Sequence, residues 1–159
     1  MNFKKQFLML LWAALGTSAL AHGQTTKPKL SKEFIQQQLD AAAKQIKVLA
    51  DETPIEKFPK TFEKGKQVFS SSSWWCSGFF PGTLLYLYEG TKDGELLKKA
   101  TEKLTYLETE KNNKGTHDLG FMMFCSFGNA LRLTGDTQKY EPILRVGANS
   151  LASRYSSKT

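Results

Sequence analysis

The sequence has 159 residues, 40% of them hydrophobic and 23% charged, with a formal net charge of +7. That length allows one ordinary domain, and the composition is that of a globular chain rather than a disordered one. The lysines are scattered, so the positive charge describes a solvated surface and argues against a nucleic-acid groove, which needs a concentrated basic face.

In chain order, residues 1–23 read as a secretory signal peptide outside the fold. Lys4 and Lys5 form a basic start, and the apolar run at 7–15 is shorter than the ~18 residues a membrane span needs. Ala19-Leu20-Ala21 is a small-x-small cleavage site, with Ala21-His22-Gly23 as a second. The mature chain, 24–159, is expected in the periplasm or outside the cell, with no membrane partner after cleavage. Without Lys4 and Lys5 its charge is +5, which suits an acidic substrate without arguing for one. In that compartment a disulfide between Cys76 and Cys125 is permitted, and two buried free thiols are an equal alternative.

From residue 31 onward the pattern is helical. Ser31 is placed as an N-cap with Glu33 in the first turn. Ile35, Leu39, Ala42, Ile46 and Leu49 follow at steps of 4, 3, 4 and 3, one apolar stripe that Thr53-Pro54 ends. Residues 54–73 read as a long irregular segment, and loops of that length in compact domains often carry function. A helix is predicted from Pro81, a residue suited to a first helical turn, to Gly90. After a turn, Leu97, Ala100, Leu104 and Leu107 form a second stripe. LGFMMFCSFGNALRL is apolar nearly all round, which predicts a helix buried on every side. The last helix runs from about 137 to 155, with Leu144, Gly147 and Leu151 inward.

Leu97, Ala100 and Leu104 recur 47 positions later as Leu144, Gly147 and Leu151. A repeat of that size indicates stacked helical hairpins, each with one nearly all-apolar inner helix and one striped outer helix. No alternating β segment is evident, so the expected class is all-α.

Two stretches carry residues that a helical core does not require. In SSSSWWCSGFFPG, adjacent tryptophans precede a helix. They either anchor the loop to the core or present a ring, Trp75, as a wall for the C–H face of a sugar. In GTHDLGF, Asp118 is either a helix cap with His117 packed beside it or a catalytic carboxyl group. Both stretches begin inner helices, and in a ring of hairpins those ends fall on one face. Trp75 and Asp118 are therefore expected to open into a shared cavity.

The pair W-x-S-G-F-F-P-G at 75–82 and H-D-L-G-F at 117–121, in that order and spacing, resembles the unsaturated glucuronyl hydrolases, glycoside hydrolase family 88. The likeness runs from about Trp74 to Asp136 and is weaker on both sides. It implies an (α/α)6 barrel, incomplete in this chain, and a substrate ending in a 4,5-unsaturated uronic acid, as polysaccharide lyases leave on glycosaminoglycan or similar polyuronide fragments. By that resemblance Asp118 is a catalytic aspartate that orients substrate and tunes its partner. His117 lies by the uronate or fixes Asp118, and Trp75 stacks on the sugar. No metal or cofactor is implied.

The chemistry so implied is protonation at C4, hydration at C5 and collapse of the hemiketal, which needs an acid/base carboxyl group and a second charged one. The family's acid/base aspartate lies well downstream of HDLGF. After Asp118 this sequence holds only Asp136 and Glu141 as acids, neither of which suits the role. The sequence thus reads as the amino-terminal part of such a hydrolase, and the chain ending at Thr159 is expected to be inactive. Two rival readings are a hydrolase for unsaturated galacturonyl ends of pectin fragments on the same barrel, and a non-catalytic helical-repeat binding module.

Overall fold

Ser31 opens the first helix as its position predicts: its hydroxyl accepts the Phe34 N–H at 3.1 Å, satisfying one of the donors a helix start leaves over. The computed structural model describes residues 30–157; the signal peptide read at 1–23 and the lead-in at 24–29 lie outside the described residues. Helix α1 spans Lys32–Glu52 and stops at Thr53, whose hydroxyl donates back to the Leu49 carbonyl at 2.6 Å.

The segment at 54–73 is not irregular. Strands β1 (Phe58–Glu63) and β2 (Lys66–Ser70) pair antiparallel. Lys64 and Gly65, at φ 50° and 75°, turn the chain between them, as a two-residue hairpin loop requires. A lysine in the first turn position, where asparagine or aspartate is usual, hides this hairpin from sequence inspection. Lys103 anchors its base. Its ammonium donates to the carbonyls of Pro54, Ile55 and Lys57 at 2.6, 3.0 and 2.9 Å, so all three of its donors are used.

Helix α2 (Phe79–Thr91) begins two residues before Pro81. Lys92 closes it in the left-handed region, and Asp93 caps α3 (Gly94–Leu107) through the Glu95 N–H at 3.0 Å. The buried stripe of α3 is Leu96, Ala100, Lys103, Leu104 and Leu107, so Leu96 takes the place expected for Leu97, which is only partly buried. A 3-10 helix, Glu108–Asn112, leads to α4 (Leu119–Met123), a π-helical turn (Phe124–Gly128) and α5 (Asn129–Thr134). Asp136 caps α6 (Thr137–Ala152), accepting the Lys139 N–H at 3.0 Å. Leu151 faces inward as expected but is only half-buried, packed against the edge of the core. The repeat holds in the structure: Leu96 and Ile143, Ala100 and Gly147, Lys103 and Ser150 are buried pairs, each 47 positions apart.

α2 and the α4–α5 helix run parallel in direct contact. A Cβ on Gly78 would lie 2.2 Å from the Met122 carbonyl oxygen, and one on Gly82 would lie 2.3 Å from that of Cys125. Only glycine lets the two backbones approach so closely. At the far ends Arg132 grips Glu89 with two hydrogen bonds of 2.7 and 2.8 Å. α6 returns against α4 through Gly147 and Met123, as α3 does against α2. These packed helices bury Leu84, Leu85, Leu96, Leu107, Met122 and Phe127. The helix at 119–134 is nevertheless not covered on every side, since Phe121 and Phe124 are more than half exposed.

Candidate functional site

Because α2 and α4 are parallel and in backbone contact, their starts lie side by side, and with them the two sequence motifs. The join is aromatic. The Trp75 ring meets Phe79 at 5.9 Å and Phe121 at 6.4 Å, both edge-on, and Phe79 stands 6.1 Å from Phe121. Such geometry matches the ring quadrupoles. All three rings remain open to solvent, at 45, 38 and 51% exposure, so they form a wall rather than a core. Trp74 packs edge-on against Trp75 at 6.3 Å and is half-buried. The Lys60 ammonium lies 5.9 Å from its ring, and Lys60 sits in the bulge that breaks the β1–β2 register. Trp74 thus anchors the loop, and Trp75 keeps the open ring.

Asp118 stands where a cap would stand, yet its side chain accepts no N–H of the helix it precedes. Its backbone carbonyl receives the Phe121 and Met122 N–H groups instead, at 2.9 and 3.2 Å. Its own N–H is held by the Thr116 hydroxyl at 3.0 Å. The carboxyl group is 21% exposed, with His117 Nε2 3.5 Å away; the imidazole is 83% exposed. The carboxyl group is therefore held in place through its backbone while its oxygens stay available, and the reading of Asp118 as only a cap is not supported by this geometry. Cys76 lies near enough to feel it: burial, and then the charge of Asp118, pushes the Cys76 thiol up. Cys76 and Cys125 are both free thiols.

The structure adds residues not nominated from the sequence. Phe79 and Phe121 lie inside the motifs but are legible as site residues only once the helices are seen side by side. Glu110 is buried and accepts from the Ser72 hydroxyl at 2.6 Å and the Asn113 amide at 2.7 Å. A signal for it existed: Glu110 continues the α3 stripe three positions past Leu107, and a charged residue on an apolar stripe needs a partner.

A curated unsaturated glucuronyl hydrolase of Formosa agariphila is 30% identical over 156 residues, covering 96% of this chain and 39% of that protein. This chain is homologous to the unsaturated glucuronyl hydrolases. Among solved structures, an unsaturated glucuronyl hydrolase specific for heparin superposes with a TM-score of 0.74 at 35% identity, over 80% of this chain and 34% of that one. The unsaturated glucuronyl hydrolase of Streptococcus agalactiae gives 0.70 at 26% identity, over 79% of this chain and 34% of the other. A mutant of the latter has been solved with dGlcA-GalNAc6S. No family model matches. The chain spans well under half the length of each of these unsaturated glucuronyl hydrolases, and over that span it shares their helical fold.

Proposed function

We propose that this chain supplies the sugar-stacking wall and one catalytic carboxyl group of a hydrolase for oligosaccharides that end in a 4,5-unsaturated uronic acid. The observation that carries this is the contact of Trp75 with Phe121. It puts the W-x-S-G-F-F-P-G and H-D-L-G-F segments on one open face, beside a carboxyl group that its helix does not use. In this reading the unsaturated ring lies on Trp75, and Asp118 orients it and stabilises the charge that develops at C5 and the ring oxygen as C4 is protonated. His117 stands by the uronate. Water adds at C5, and the hemiketal opens and releases the next sugar.

The proton donor is not Asp136, which caps α6, nor Glu141, which pairs with Arg145 at 2.7 Å. Asp118 thus acts with a second carboxyl group that neither of these provides. The reading also places the protein in the periplasm or outside the cell, released from a signal peptide at residue 21 or 23. The test offers the protein unsaturated disaccharides from chondroitin, heparin and pectin and follows quenching of tryptophan emission, a binding readout that needs no proton donor. A response to glucuronyl ends that Trp75→Ala removes is the expected result. Preference for galacturonyl ends would move the substrate to pectin fragments, and silence toward all three would overturn the reading.

A further inference from the structure

The wall and the carboxyl group belong to two loops far apart in sequence, and one buried side chain is bonded to both. Glu110, 6% exposed, lies in the 3-10 helix Glu108–Asn112, which packs against α4 and α6. Its Oε1 accepts the Ser72 hydroxyl at 2.6 Å, two residues before Trp74. Its Oε2 accepts the Asn113 amide at 2.7 Å, and Asn113 Oδ1 in turn holds the Gly115 N–H at 2.8 Å, two residues before His117. Each carboxyl oxygen is therefore committed to one arm of the site. Charge-assisted bonds of this kind are short and directional, and a buried carboxyl group with both oxygens bonded favours one arrangement of its partners.

We infer that Glu110 is a positioning residue, a brace that fixes the distance between the Trp74-Trp75 loop and the His117-Asp118 loop. The inference rests on reading that face as the sugar site, but the brace itself is measurable without a sugar. Residues 70–73 are tied at their start by Ser70, which pairs with Phe58 in the hairpin and donates its hydroxyl to the Phe58 carbonyl at 3.3 Å. Beyond it Ser71 and Ser73 bond each other at 2.8 Å, and Ser72 is the serine that reaches across to the other loop. Without Glu110 the tryptophan pair is left to its ring contacts alone, and its orientation loosens while the helices beneath keep theirs.

The experiment compares Glu110→Ala, Glu110→Gln and Ser72→Ala in the full chain by near-ultraviolet and far-ultraviolet circular dichroism. Trp74 and Trp75 are the tryptophans of the described region and Trp12 is common to every variant, so a difference in the near-ultraviolet tryptophan band between variants reports the braced loop. In Glu110→Ala that band is expected to fall about twofold or more, with the helical signal unchanged, because fixed side-chain packing is what near-ultraviolet bands report. Glu110→Gln, which can still accept from Asn113 and donate to Ser72, is expected to restore the band. Ser72→Ala should lower it in part. A residue that merely adds stability would lower the melting temperature and leave the band intact, and that outcome overturns the inference. If Glu110→Ala fails to fold, Ser72→Ala decides: a reduced band supports the brace and an unchanged one overturns it. A wild-type protein that ignores every unsaturated disaccharide would defeat the proposed function, while the band would still judge the brace.

Discussion

Alanine at Gly82 tests the contact on which the site depends. In an exposed helix, glycine to alanine gains about 1 kcal/mol. At Gly82 the new Cβ would lie 2.3 Å from the Cys125 carbonyl oxygen, whereas ordinary contact starts at 3.4 Å. The obstacle is backbone of the π-helical turn, so α2 and α4 would have to separate by about 1 Å. Overpacking of this kind costs about 3 kcal/mol at the upper end of its usual range. Set against the propensity gain, the net loss is about 2 kcal/mol, a sizeable share of a typical domain's 5–15 kcal/mol. Gly94 is the control. It begins α3 with nothing within 4 Å of a built Cβ, so Gly94→Ala is expected to gain about 0.5 kcal/mol. Urea unfolding gives both numbers. The near-ultraviolet band of Gly82→Ala should also weaken, because Phe79 lies one turn away and carries the Trp75 contact. If Gly82→Ala matched Gly94→Ala in sign, the close approach of the two helices would be wrong, and with it the shared face.

Asp118→Asn should change stability by less than about 1 kcal/mol, since no cap bond is lost and only the helix-end charge interaction and an exposed contact with His117 are at stake; in a version of the protein that also carries the acid/base carboxyl group it should lower kcat on the order of 10²-fold or more. The same variant removes a charge that raises the Cys76 pKa, so alkylation of Cys76 at neutral pH should quicken by less than about tenfold, and an unchanged rate would separate the two groups. Lys103 is drawn by burial from 10.5 to about 8. The unfolded chain therefore holds that proton over a range where the folded chain has released it, and the contribution of Lys103 to stability should rise as pH climbs from about 8 to 10.5. Lys103→Met should abolish that rise in urea midpoints and speed amide exchange at the hairpin base. Amino-terminal sequencing of exported protein should begin at His22 or Gln24, and an intact Met1 in that fraction would refute cleavage.

The helices were legible because their causes are local. The Ser31 cap, the α1 stripe from Leu39 to Leu49 and the 47-residue spacing between α3 and α6 follow from spacing and side-chain chemistry alone. Ile35 at the start of that stripe, by contrast, stays exposed, and two of the three pairs buried on both helices are Leu96 with Ile143 and Lys103 with Ser150, not Leu97 with Leu144 and Leu104 with Leu151. So did the pairing of the motifs as the starts of two inner helices. The hairpin was not legible, because a Lys-Gly turn imitates a charged loop. Incomplete burial of the 119–134 helix was not legible, because composition cannot say which apolar face finds a partner; Phe121 and Phe124 are apolar like Met122 and Met123 but face outward. Asp118 shows the same division. Its sequence position is that of a cap, and only the fold reveals that Thr116 holds its backbone N–H while its carboxyl oxygens stay out of the helix. Glu110 stands on the α3 stripe, which signals burial, but the partner that gives it a role, Ser72, lies 38 residues away and only the fold brings the two together. A local sequence records what each residue prefers, and tertiary contact decides which of those preferences are met.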